Sequence, residues 1–224
     1  MNKLFLAIAL LFISISLKAQ NDAQSLNLGF AAGGTNPYLA NAKTSFSYSG
    51  SVNYYPSPYF DAVLEAQIGI IAAGKSSALP YSPANNNFSN KYQAAFLEAQ
   101  LHFGALIDED AFLDPLRNFY ATTGVGFLHS RPGSVFLNTP DWITYTTPVI
   151  PLKVGYLFNI KTNYNDPLLK IDLSYSVNYA PGRGLESYNN LPVPPSVKTY
   201  SFYSIGIEYT ITVFGRHDVG LLRF

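Results

Sequence analysis

The stretch that decides the fold is Tyr203-Ser-Ile205-Gly-Ile207-Glu-Tyr209-Thr-Ile211-Thr-Val213. Its odd positions are apolar or aromatic, and its even positions are small, hydroxylated or charged. A β-strand turns successive side chains to opposite faces, so this segment has one greasy face and one polar face. A soluble sandwich also alternates. Here, however, the polar face carries Glu208 among Ser204, Gly206, Thr210 and Thr212, and the pattern recurs along the chain behind a secretion signal. This combination predicts an all-β fold: an eight-stranded antiparallel transmembrane up-and-down β-barrel, greasy face on lipid and polar face inward.

Seven earlier segments carry the same alternation, at 26–32, 46–54, 61–70, 95–104, 119–127, 152–160 and 169–179. Each reaches or approaches the roughly 9–11 residues that a tilted strand needs to cross a bilayer. The sixth follows Pro148 and Pro151. A proline donates no ladder hydrogen bond, so that strand is expected to start late or bulge. Connections alternate in length. Pro56-Ser-Pro58 and Thr162-Asn-Tyr-Asn-Asp166-Pro are short, whereas 34–43, 75–91, 130–146 and 181–197 are long and rich in Pro, Gly, Asn and Ser. Short turns on one side and long loops on the other place both termini on the periplasmic side and the long loops outside the cell.

One connection breaks the pattern. Residues 107–118 should lie on the short-turn side and include Asp108-Glu109-Asp110, then Phe112 and Leu113. The stretch reads as a solvated acidic turn, as a short interfacial helix, or as a contact patch for another envelope protein.

The first 20 residues read as a cleaved signal peptide. Asn2-Lys3 is a positive start, 4–17 an apolar core too short to span a bilayer comfortably, and Lys18-Ala19-Gln20 a cleavage zone. The expected organisation is a signal peptide at 1–20, a barrel at 21–214 and a short periplasmic tail at 215–224. After residue 20 no apolar run approaches the length of a spanning helix.

Composition agrees. Charged residues make up 12% of the chain and aromatics 15%, against roughly twice that charge in soluble domains. Without Lys3 and Lys18 the basic count falls from 14 to 12 against 14 acidic residues, a net charge of −2. No basic field for nucleic acid follows from that balance. The chain has no cysteine, which excludes disulfides, thiolate metal sites and a thiol nucleophile.

Extending the alternation strand by strand puts Glu65, Gln67, Glu98, Gln100, His102, Lys153, Lys170, Asp172, Asn178 and Glu208 inside. An eight-stranded barrel is only wide enough to be filled by side chains, and buried charges must pair. The expected lumen is therefore a packed polar plug, with glycines such as Gly155 and Gly206 making room for longer neighbours. Tyr54, Tyr55, Tyr59 and Phe60 near the short turns, with Trp142 and Tyr145 near the long loops, are expected to form two interfacial girdles. Glu98 and His102 share a face, and a carboxylate can orient a histidine as general base. No serine motif accompanies them, so a satisfied internal network is the preferred reading. No cofactor or metal is implied.

The Lys18-Ala-Gln leader end, the Asn90-Lys-Tyr-Gln-Ala-Ala stretch and the Phe119-Tyr-Ala-Thr-Thr-Gly-Val-Gly-Phe127 run carry a family resemblance. The chain resembles the small eight-stranded outer-membrane barrels of the OmpA transmembrane-domain and OmpX type. More narrowly, it is similar to the "outer membrane protein beta-barrel" family of Bacteroidota. That resemblance implies outer-membrane lipid as surroundings and the outer-membrane assembly machinery as a partner during biogenesis. It also implies a non-enzymatic structural or accessory role in the envelope. A narrow channel or small-ligand binder working through the long loops, and a lipid-modifying enzyme, are the alternatives.

Overall fold

The computed structural model describes residues 24–38, 42–57, 59–73, 88–105, 116–132, 144–161, 167–181, 185 and 198–214. Nine strands follow in chain order: β1 (Gln24–Pro37), β2 (Ala42–Lys43), β3 (Ser45–Ser57), β4 (Phe60–Ala73), β5 (Phe88–His102), β6 (Phe119–Pro132), β7 (Tyr145–Lys161), β8 (Pro167–Tyr179) and β9 (Thr199–Phe214). Eight of them form a cylinder in which each strand pairs antiparallel with its sequence neighbour. β1 closes on β9, with an unbroken register from Ser25↔Thr212 to Pro37↔Tyr200. Closure leaves no unpaired edge, a requirement for backbone inside hydrocarbon. The two-residue β2, which the alternation does not reveal, pairs with the end of β4 at Ala42↔Ala73 and Lys43↔Ala72.

The outside of the cylinder is apolar on every strand. Leu28, Phe30, Val52, Leu64, Ile68, Leu97, Leu152, Ile205 and Ile207 are exposed, and Val125 and Phe127 are each 64% exposed. Apolar area left in water costs about 25 cal/mol per Å², so a continuous belt of this kind needs lipid as its solvent. The side chains filling the cylinder alternate with the belt residue by residue. The structure is thus a transmembrane β-barrel of the predicted class. No helix among the described residues is long and apolar enough to cross a membrane, which bears only on helices.

Two local expectations need correction. β7 neither starts late nor bulges at its prolines: it begins at Tyr145, and its register with β6 keeps step from Ser130↔Tyr145 to Phe119↔Tyr156. The ladder only skips the rungs next to Pro151, where the Thr123 hydroxyl donates to the Pro151 carbonyl at 3.1 Å. That bond satisfies the proline's carbonyl where the ladder is interrupted. The first segment is also longer than its pattern, because Gly33 and Gly34 continue β1 in place of opening a loop. A side chain at Gly34 would collide with the Tyr203 ring, which lies across it on the outer face. The aromatic covers the backbone that the glycine leaves bare. The expected signal peptide at 1–20 and tail at 215–224, together with Trp142 and the acidic stretch Asp108, Glu109, Asp110, Phe112 and Leu113, lie outside the described residues.

Candidate functional site

The lumen is the candidate site, and it has two layers. The layer toward the short turns is polar. Lys153 of β7 reaches across it to two carboxylates, contacting Glu65 of β4 and, at 3.1 Å, Glu98 of β5. Gln67 donates to Glu65 at 2.8 Å. Glu65 and Glu98 are almost wholly buried, and both lean on one ammonium.

Nearer the short turns, Asp61 pairs with His102 Nε2 at 2.5 Å, and Gln100 donates to the same Asp61 oxygen at 3.3 Å. The His102 ring stacks on Tyr55, with centroids 5.7 Å apart. Lys170 donates to the Tyr55 hydroxyl at 3.1 Å and sits 4.5 Å from the centre of its ring, an arrangement that adds a cation–π term. The Asn27 amide satisfies its surroundings best with its nitrogen toward the Thr210 hydroxyl (3.0 Å). Its oxygen then accepts from Tyr55 (2.9 Å) and Lys170 (3.2 Å). Glu208 accepts from Asn53 at 2.9 Å, and Asp172 accepts from the Tyr120 hydroxyl at 2.7 Å.

A cavity of about 30 Å³ lies among these groups, lined in part by Glu65, Lys153, Asp172, Glu208 and four serine residues. One water needs about 10–15 Å³ of such space, so the cavity has room for about two. None of the apolar side chains of the second layer lines that cavity.

The second layer, toward the long loops, is built round an apolar cluster, with small buried polar side chains such as Thr35, Ser47, Asn90 and Thr147 beside it. Ile71, Tyr92, Ala94, Phe96, Leu128, Val149, Ala180, Leu185 and Tyr200 form one buried cluster. Leu185 belongs to the connection between β8 and β9 yet is only 1% exposed. The Asn90 amide donates to its carbonyl at 3.3 Å. The loop thus delivers an aliphatic stopper into the mouth of the barrel and is tied there by a hydrogen bond.

All ten predicted lumen residues face inward, but the pairing differs from the sequence reading. Glu98 is bound to Lys153, and His102 to Asp61, so the suggested Glu98–His102 dyad does not form. Two girdle positions also move. Tyr55 points into the lumen against His102 and Lys170, and Tyr145 shares the inner-face parity of its partner Ser130. Odd positions of β3 and β7 face inward, so an aromatic there belongs to the interior whatever its height. Tyr54 and Tyr59 are exposed, as a girdle requires, and Phe60 is half-buried on the outward parity. Among the described residues no group of three His, Asp or Glu is arranged to hold a metal.

The unforeseen contributors are Asp61, Tyr120, Asn27, Asn53 and the whole apolar layer. Asp61 shares the parity of Glu65 and Gln67 and is readable by extending that alternation backwards. Tyr120 needs a structural clue, because a side chain at Gly155 on the adjacent strand would strike its ring. That vacated space lets the phenol swing to Asp172. Tyr120→Phe is accordingly expected to cost about 1.5–3 kcal/mol, the usual worth of a hydrogen bond to a charged group. Chemical unfolding of the refolded barrel measures this, and an unchanged midpoint would remove Tyr120 from the network.

No protein-family model matches the sequence, and no curated protein matches it either. Among solved structures the chain is similar to Neisserial surface protein A, at 14% identity and a TM-score of 0.48, with 84% of this chain and 97% of that chain covered. It is also similar to Ail, the attachment invasion locus protein of Yersinia pestis, at 12% identity and a TM-score of 0.43 over the same shares. A second Ail structure, in complex with the heparin analogue sucrose octasulfate, gives 13% identity and 0.41. The assignment rests on the chain's own geometry: eight strands closed without an edge, aliphatic outside and charged inside, make it a small β-barrel of the outer-membrane type.

Proposed function

We propose that this chain is a sealed, non-enzymatic barrel of the bacterial outer membrane, with periplasmic termini and extracellular long loops, serving the envelope as a structural or accessory component. The observation that carries this reading is the two-layer closure of the lumen. Ions passing from the long-loop end meet an apolar layer capped by Leu185 and then the Lys153 bridge between Glu65 and Glu98. An apolar constriction resists wetting, and a hydrogen-bonded ion pair across so narrow a lumen leaves little free section.

Two features weigh against catalysis. His102 is held by Asp61 in the polar layer, and its nearest described neighbours are a glutamine and two aromatic rings, none of them an activated nucleophile. Glu98 is engaged by Lys153. The outward surfaces then become the working parts: the long loops, and the acidic stretch at 108–113 as a contact for other envelope proteins. In planar bilayers the purified barrel is expected to show no stable single-channel step. A reproducible step from the unaltered protein would favour the narrow-channel reading instead. Co-purification from native membranes in mild detergent tests the accessory role, which fails if the barrel travels alone.

A further inference from the structure

Charge in this barrel is segregated. All five carboxylates among the described residues, Asp61, Glu65, Glu98, Asp172 and Glu208, face the lumen. Four exposed cations, Lys43, Lys91, Arg131 and Lys198, lie at the long-loop end of the strands. Two of them meet directly: Lys91 of β5 and Arg131 of β6 are cross-strand partners, and both occupy outward positions. Like charges placed opposite one another on a sheet face repel. Neither has an ion-pair or hydrogen-bond partner among the described residues. An anion between them would turn that repulsion into attraction, and arginine is suited to grip phosphate through two parallel N–H bonds.

Position along the strand identifies the kind of anion. The next outward pair toward the short turns is Gln93↔His129, and below it come Ala95↔Phe127 and Leu97↔Val125, apolar and exposed. Four residues separate Lys91 from Ala95, about 13 Å of strand. The cations therefore stand just above the lipid belt, at headgroup depth, with acyl chains packed against the same two strands beneath them. Lys43 adds charge close by, since it pairs with Ala72, whose partner on β5 is Ser89.

We infer that Lys91 and Arg131 form a binding site for the phosphate of a lipid in the outer leaflet, its chains lying over Ala95, Leu97, Val125 and Phe127. This rests on the outer-membrane placement proposed above, with the long loops outward. A soluble anion would gain nothing from the apolar strip, whereas a phospholipid or phosphorylated glycolipid is anchored by both parts.

The test uses the refolded full barrel in phosphatidylcholine nanodiscs containing either diphosphoryl lipid A or the same lipid stripped of its phosphates. Retained lipid is read by native mass spectrometry. The barrel should retain the phosphorylated form about tenfold better, the worth of one charge-assisted contact. Lys91→Gln with Arg131→Gln should bring the two forms to parity. Both positions are exposed, so the double variant should keep the heat-modifiable gel shift of the folded barrel. Equal retention of the two lipids, or selectivity that survives the double substitution, overturns the site. Displacement by millimolar inorganic phosphate also overturns it, because it assigns the cations to a soluble anion. Conductance reports on sealing alone, so the two readings fail separately.

Discussion

Lys153→Met is expected to destabilise the barrel by about 3–5 kcal/mol, the usual penalty for stranding a buried charge. Lys153 is the cation that both Glu65 and Glu98 contact, and each carboxylate is at most a few per cent exposed. Methionine fills similar volume, so packing is nearly conserved and the loss reports on charge. Two carboxylates would then face each other across adjacent strands, with Gln67 as the remaining donor to Glu65. Urea titration of the refolded protein in detergent or vesicles, followed by the heat-modifiable gel shift, reads the effect. Adding Glu65→Gln and Glu98→Gln should recover most of the loss, because replacing every member of a buried ionic cluster by neutral groups is often close to neutral. An unchanged unfolding midpoint in Lys153→Met would mean that water or another cation already compensates these carboxylates.

The part of this design that is legible in the sequence is the part that alternates. Around Glu65, Glu98, Lys170 and Glu208 a polar inner position sits between apolar outer ones, so parity assigns the face directly. The short-turn half of the lumen is written that way. Toward the long loops several inner positions are apolar too, as in Ile70-Ile71-Ala72-Ala73 of β4 and Tyr92 to Phe96 of β5, and there the period-2 signal fades because both faces carry hydrophobic groups. Phe96 and Leu128 look like belt residues until the strands are paired. Partners across the barrel are a further step beyond parity. Glu98 and His102 are close in sequence and share a face, yet other strands supply the better partners: β7 brings Lys153 across the lumen to Glu98, and β4 brings Asp61, which pairs with Gln100 in the β4–β5 register, two residues from His102 on the same face. Leu185 was the least accessible of all. Nothing in a Pro- and Asn-rich loop marks one leucine as the side chain that folds back into the mouth.

Two closures in series make a sharper prediction than either alone. Phe96→Ala removes the largest apolar ring of the upper layer that carries no hydroxyl, and should cost about 3–5 kcal/mol. It should not conduct, because the Lys153 bridge still crosses the lumen below. The neutralised variant, Lys153→Met with Glu65→Gln and Glu98→Gln, should not conduct either, since ions must still cross the apolar layer. Combining that neutral background with Phe96→Ala should give single-channel steps that neither parent shows. If the combined variant is too unstable to refold, Leu185→Ala in the same background serves. Leu185 comes from a loop, so its truncation opens the mouth without thinning a strand-borne layer. Steps in Phe96→Ala alone would show that the Lys153 bridge is permeable and the upper layer the sole seal. Silence in every combination, with folding intact, would mean that the remaining side chains of the polar layer close the barrel even without an ionic crossbar.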